Sequence, residues 1–226
     1  MKKLKWLKAE WPLPIADISK ILLDNQYIES KGHGFVLLES NKQKISGKYI
    51  ERITKTIVST DPFGNQFEST NVTYYISIFL IDSSSNVIEL TDPPRSSRKL
   101  LSTLHELLGI GLELSEINVN PLTWLNLFES SCGELLVQSI AASGIAVPEN
   151  GLARISVSGK KDIRNEFDSL VGNKFHQIDS VKASGVVGDC NVTLELFKNS
   201  SAKITGHIFD TLTSSIKTCL ERSVHL

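Results

Sequence analysis

Five histidines, His33, His105, His176, His207 and His225, are the first side chains to ask for acid–base or metal chemistry. A structural or catalytic metal needs nitrogen or sulfur donors repeated at short intervals. No two of these histidines have that spacing, and none has a cysteine or a second histidine three or four residues away. No metal site and no cofactor is expected. His105 sits among leucines, which predicts the edge of a core, and His33 lies between Gly32 and Gly34, which predicts a plain turn. A nucleophile elbow, Gly-x-Ser-x-Gly, is absent. Cys132 precedes Gly133, but no base is nominated for it. Gly185-Val186-Val187-Gly188 is not followed by the Lys-Ser/Thr of a phosphate loop. Asp162, Glu166 and Asp168 lie close together on one predicted helix, and Asp162 and Glu166, four apart, share a face. That arrangement reads as a solvated surface, and a metal-dependent nuclease would need further carboxylates from strands.

Basic groups carry the remaining chemistry. Gly159-Lys160-Lys161-Asp162-Ile163-Arg164 follows a strand and reads as the start of a helix over Gly159–Val171, where lysines and free amides could hold a phosphate. Lys174 and Lys182 fall on neighbouring elements. If Lys160, Lys161, Arg164, Lys174 and Lys182 share a surface, they make a sequence-independent nucleic-acid patch. Arg95, Arg98 and Lys99 stand at the start of a leucine-rich helix, the positive end of its dipole, and read either as a solvated helix start or as a second anion contact made with the free amides. Trp6, Trp11 and Trp124 are read as exposed aromatics that meet a protein partner.

These groups must be positioned by ordinary globular material. The chain has 226 residues, 41% apolar and 22% charged, enough for one large or two small cores. A net charge of −1 gives no global field toward DNA or an anionic membrane. Cys132, Cys190 and Cys219, odd in number and widely spaced, suggest reduced thiols in the cytoplasm. No run of 18 apolar residues predicts a membrane span. Met1–Trp11 has Leu4, Leu7 and Trp11 at helical spacing among Lys2, Lys3, Lys5 and Lys8, so it reads as a short amphipathic helix or a tail packed through its tryptophans.

The elements follow from period. Ile15, Ile18 and Leu22 mark a first helix over Pro14–Asp24. Strands are predicted at Phe35–Leu38, Tyr49–Ser59, Val72–Ile81 and Val87–Leu90, with a turn at Asp61-Pro62-Phe63-Gly64-Asn65. In Val72–Ile81, the wholly apolar row Val72, Tyr74, Ile76, Ile78 and Leu80 is the expected core face, and the row containing Thr73 and Ser77 the mixed one. Leu100, Leu101, Leu104, Leu107 and Leu108 form a helix stopped at Gly109. Ile110–Val119 could add an edge strand, and Asn120-Pro121 opens a helix read as the hinge between halves. Glu134–Val147 is apolar and cut by Gly144, and reads as either strand or helix. Turns at Pro148-Glu149-Asn150-Gly151 and Gly188-Asp189 punctuate strands at Leu152–Ser158, Phe175–Val187 and Val192–Lys198, and Ile208, Leu212, Ile216 and Leu220 mark a last helix. The expected fold class is α+β, in two small domains of antiparallel sheet with one or two packed helices: residues 1–120, closed by the leucine-rich helix, and residues 121–226.

The strand Thr73-Tyr74-Tyr75-Ile76-Ser77-Ile78-Phe79-Leu80-Ile81, then Asn86-Val87-Ile88-Glu89-Leu90, a helix, and Ile117-Asn118-Val119-Asn120-Pro121-Leu122 before a strand-rich second half resemble the organisation of phage-defence accessory proteins of the RexA-like exclusion family. The strand-and-helix block also resembles pleckstrin-like bacterial domains. The first resemblance implies a two-domain, dimerising, sequence-nonspecific DNA binder without catalysis, from which this chain departs in its near-neutral charge and shorter length; the second implies a binding surface. The expectation is a cytoplasmic, non-enzymatic accessory or adaptor subunit of a larger assembly in anti-phage defence, with a protein partner or self-association. The alternatives are nucleic-acid binding through the basic patch of the C-terminal half, and a divergent nuclease or hydrolase.

Overall fold

The computed structural model describes residues 1–147, 151–206 and 209–225. His207, Ile208 and most of the turn expected at Pro148-Glu149-Asn150-Gly151 lie outside the described residues. The described residues form five helices and an eleven-stranded antiparallel sheet, 48% strand against 25% helix, so the mixed fold is dominated by sheet. Contacts gather the chain into two compact units, Lys8–Leu114 and Met1–Leu7 with Ser115–Leu226.

From Lys2 the N-terminal segment is strand, not helix. β1 (Lys2–Glu10) buries Leu4, Trp6, Leu7 and Ala9. A β-strand needs partners, and Lys2–Lys5 finds them in β11 (Ser201–Thr205), pairing Lys3 with Lys203 and Leu4 with Ala202. Of the two readings of this segment the amphipathic helix fails, because Leu4 and Trp6 are buried at period two, with Lys5 between them facing the other way, once a ladder is present. The lysines meet carboxylates: Lys5 with Glu116 at 2.8 Å, Lys8 with Glu10 at 2.9 Å and Lys2 with Asp210 at 3.8 Å.

The unit Lys8–Leu114 has the strand order β2 (His33–Ser40), β3 (Lys44–Thr60), β4 (Gln66–Asp82), β5 (Val87–Thr91), then the end of β1. α1 (Ile15–Asp24) and α2 (Arg98–Leu108) supply the apolar cover, through Ile15, Ile18 and Leu22 and through Leu100, Leu104 and Leu108. Phe35 touches Tyr49 and Phe79, with ring centroids 5.0 and 5.9 Å away, and the buried Tyr49 hydroxyl bonds Thr103 Oγ1 at 2.9 Å, tying β3 to α2. Burial, partly offset by that hydrogen bond, raises the Tyr49 pKa.

β4 turns its less apolar row inward. Ser77, Phe79 and Ile81 are buried, whereas Val72, Tyr74 and Ile76 are exposed by 37%, 48% and 43%. Phe79 must face the same side as Phe35 and Tyr49 to complete the aromatic cluster, and the pleat then sends every even-numbered residue of β4 outward. The turn at Asp61 forms as expected. Asp61 accepts from the amides of Phe63 and Asn65, both at 2.8 Å.

The other unit orders the start of β1, then β11, β10 (Cys190–Phe197), β9 (Gln177–Val187), β7 (Leu136–Val147) and β8 (Gly151–Ser158). Gly144, at φ 73°, sits in the bulge where the β7–β8 register jumps between Ala142 and Ile145, which is why the apolar run there is interrupted. α3 (Pro121–Cys132) is capped by Asn120, whose side-chain oxygen Oδ1 accepts from the amides of Leu122 and Thr123. It was expected to be a hinge; it packs on β9, β10 and α5 (Phe209–Ser223) inside this unit. β6 (Glu113–Glu116) pairs with β1, so the edge strand read at Ile110–Val119 shrinks to four residues. α4 (Arg164–Val171) completes the unit.

Candidate functional site

The residues expected to bind nucleic acid in the second half do not converge. Asp162 takes the place intended for a phosphate: its carboxylate accepts from the amides of Val137 and Arg164, both at 3.1 Å, and it pairs with the Arg164 guanidinium at 3.3 Å. Arg164 also grips both oxygens of Glu129 at 2.7 Å. Its charge is spent inside the protein. The helix consequently begins at Arg164, five residues later than expected. Lys160 and Lys161 are exposed in the connection between β8 and α4. Lys182 lies in the middle of β9, level with Ser139 and Ser158, whereas Lys174 precedes the start of that strand, the end away from Lys160. With strand rise near 3.3 Å per residue, that separates the two ends by ~30 Å. Beside Lys182 on the same face, Lys203 is neutralised by Glu195 at 2.8 Å.

The tryptophans are corrected too. Trp6 and Trp124 are fully buried and meet edge to face, ring centroids 5.7 Å apart, and Trp124 Nε1 donates to the Ile216 carbonyl at 2.9 Å. They are core, not contact residues. Trp11 is half-buried, and its Nε1 has no hydrogen-bond partner among the described residues. His33 closes on its own turn, with Nδ1 3.0 Å from the Lys31 carbonyl; the close backbone approach at Gly34 is made by Tyr27, not by a ligand. His105 is exposed on α2. Cys132, Cys190 and Cys219 are free, and burial raises the Cys219 thiol pKa. Among the described residues, no three His, Cys, Asp or Glu side chains are grouped to hold a metal, and no helix is long and apolar enough to cross a membrane.

Arg95, Arg98 and Lys99 do come together, in the unit Lys8–Leu114. They line a cleft of about 560 Å³ with Pro94, Ser96 and Ser102 of the same segment and with Glu51, Ile53 and Tyr75 of β3 and β4. Asp92, at φ 43°, turns the chain away from β5, and Pro93-Pro94 carries it to α2. The helix start is weakly capped: Ser97 offers no side-chain bond, and Ser96 Oγ accepts from the Arg98 amide at a long 3.4 Å. None of the three cations belongs to an ion pair among the described residues. Three positive groups, loosely held amides and the Tyr75 ring therefore face one carboxylate, Glu51, across an open cleft.

The cleft lies at the root of a feature that sequence patterning did not announce. β3 and β4 pair without a register break from Lys44–Asp82 to Thr60–Gln66. β2 covers β3 only through Glu51, and β5 covers β4 only from Ile78 onward. Beyond those points the two strands run on alone as an arm. Its side chains are exposed on both faces: Ile57 by 48%, Val58 by 56%, Phe67 by 54% and, at the turn, Phe63 by 90%. A two-stranded hairpin has no core and is marginal in water by itself, so apolar residues on both its faces are the signature of contact with something else. The missed signal was length: seventeen-residue strands on each side of the Asp61–Asn65 turn exceed what one covered sheet uses.

No protein-family model matches the chain, and no curated protein matches it.

Proposed function

We propose that the protein is a non-enzymatic binding protein, an accessory subunit whose recognition element is the β3–β4 arm. The observation that carries this reading is the exposure of Ile57, Val58, Phe67, Val72 and Tyr74 on a hairpin that, among the described residues, no third strand pairs beyond Glu51 of β3 or before Ile78 of β4. The arm carries few charges, Lys55, Asp61 and Glu68 between Ile53 and Thr73, so its partner is another polypeptide and not a polyanion. A place in an anti-phage assembly remains part of the proposal on the strength of the family resemblance. Replacing Ile57, Val58 and Phe67 together by serine should leave the melting temperature within a few degrees and abolish retention of protein partners by the tagged chain in its host, read by quantitative mass spectrometry. Equal retention by the variant overturns the reading.

A second reading rests on the cleft. Three cations without acidic partners beside an aromatic ring suit a phosphate-bearing ligand, including a nucleic-acid backbone, entering next to the arm. Replacing Arg95 and Arg98 by alanine should then weaken binding of a single-stranded oligonucleotide by roughly tenfold or more at low salt and flatten the salt dependence by about two charges. Unchanged affinity, or none in the parent, removes this reading.

A further inference from the structure

The backbone of β4 shows what the arm is built to pair with. The Asp61 amide donates to the Asn65 carbonyl at 2.9 Å, and the Arg52 amide donates to Gly32 at 2.7 Å. Together with the unbroken register, these bonds fix which groups point where, because hydrogen-bonded pairs alternate along an antiparallel ladder. Odd-numbered residues of β4 bond β3. The amides and carbonyls of Gln66, Glu68, Thr70, Val72, Tyr74 and Ile76 point away from it, toward an edge that β5 does not reach.

Natural sheet edges are normally blunted by a proline, a lysine, a bulge or shortness. The outer strand β2 is interrupted by a register shift between Leu37 and Glu39. From Phe67 to Ser77, β4 has no proline, no lysine or arginine and no bulge. Such an edge selects a strand of similar length that brings no opposing charge. β4 is itself that strand. Placed antiparallel to a second copy about a dyad at Asn71, Tyr75 stands opposite Phe67 of the other copy on one face, and on the other Tyr74 stands opposite Glu68, so that the single charge meets a hydroxyl and not its like. Two hairpins then make a four-stranded ribbon, above the minimum at which a sheet becomes independently stable.

We infer that the protein forms a two-fold dimer by pairing the free edges of β4, residues Gln66–Ile76, into one antiparallel ladder centred on Asn71. The inference rests on the arm being the recognition element and specifies its partner as a second copy of this chain.

Sedimentation equilibrium of the full chain over a hundredfold concentration range should give a monomer–dimer equilibrium. Val72→Pro removes an outward-pointing amide and leaves the bonds to β3 in place, so it should raise the dimer dissociation constant at least tenfold. Should that variant melt early, Asn71→Cys decides independently: under mild oxidation it should cross-link to itself faster than a cysteine placed at Gly64, with the unsubstituted chain as the background for Cys132 and Cys190. A chain that stays monomeric throughout, or an Asn71→Cys that cross-links no faster than the Gly64 variant, overturns the inference. A monomer whose serine-substituted arm loses its host partners would sink the dimer and leave the proposed binding role standing; a dimer that Val72→Pro leaves intact would sink the inference alone, and equal partner retention by the serine variant would sink the binding role.

Discussion

Trp6→Ala should destabilise the unit that contains α3 and α5 by about 3–5 kcal/mol, the range for removing a large aromatic from a packed core. Trp6 is completely buried. Its ring is the surface on which Trp124 stands edge-on, a contact worth about 0.5–1.5 kcal/mol beyond area alone. Trp124 in turn holds α5 through its bond to the Ile216 carbonyl, and Ser200 holds β1, its hydroxyl donating to the Trp6 carbonyl and its own carbonyl accepting from the Trp6 amide. Losing the Trp6 ring therefore loosens a strand, a helix and a turn at once. The measurement is urea unfolding followed by tryptophan fluorescence. Trp124 reports this unit and Trp11 the unit Lys8–Leu114. The midpoint reported by Trp124 should fall sharply, while that seen in a Trp6→Phe control falls much less. A Trp6→Ala protein with an unchanged midpoint would show that β1 is dispensable to the unit it has joined.

The helices were legible because their signals are local. Pro14 before Ile15, the Leu100–Leu104–Leu108 stripe and Asn120-Pro121 each act within one or two turns of backbone, and α1, α2 and α3 begin where those residues place them. The strand pair around Gly188-Asp189 and the kink at Gly144 were equally local. α4 was read too long because Asp162 satisfies the amides of both Val137 and Arg164, a contact between residues 25 apart that no window along the sequence contains.

Long-range pairing decided what was misread. Both rows of β4 are apolar enough to be core, so period two alone cannot choose a face; the choice was made by Phe35 and Tyr49 on other strands. The segment Met1–Leu7 was read as a helix or a packed tail, and residues some two hundred positions later make it a strand. Among the candidate contacts, the grouping of Arg95 and Arg98 was legible because both stand at one helix start. Arg164 was not, because Glu129 reaches it from another helix. The arm escaped notice for a related reason: nothing in the sequence of a strand states where its neighbours stop.

Asp179→Asn should cost about 2 kcal/mol at neutral pH, and the cost should disappear in acid. Asp179 sits on β9, its side chain 12% exposed, and gathers three elements: Lys198 Nζ at 2.6 Å and Ser143 Oγ at 2.9 Å on one oxygen, the Arg154 guanidinium at 2.9 Å on the other. Burial alone would raise its pKa. The bonds from Lys198, Ser143 and Arg154 outweigh that and hold it below the ordinary carboxylate value. A carboxyl whose folded pKa lies below its unfolded one contributes stability that is complete above the unfolded pKa, near 4, and is lost as pH falls through the folded pKa. The parent should therefore exceed the variant by a constant margin from about pH 7 down to about pH 5, and the two stability curves should converge below about pH 4. Arg154 and Lys198 keep part of their charge in water, so added salt should narrow the margin only partly. Chemical denaturation at a series of pH values reads this directly. A margin that persists undiminished at low pH would mean that Asp179 acts through its shape and neutral hydrogen bonds, and that the charge drawn together from β8 and the end of β10 contributes nothing to holding those strands in place.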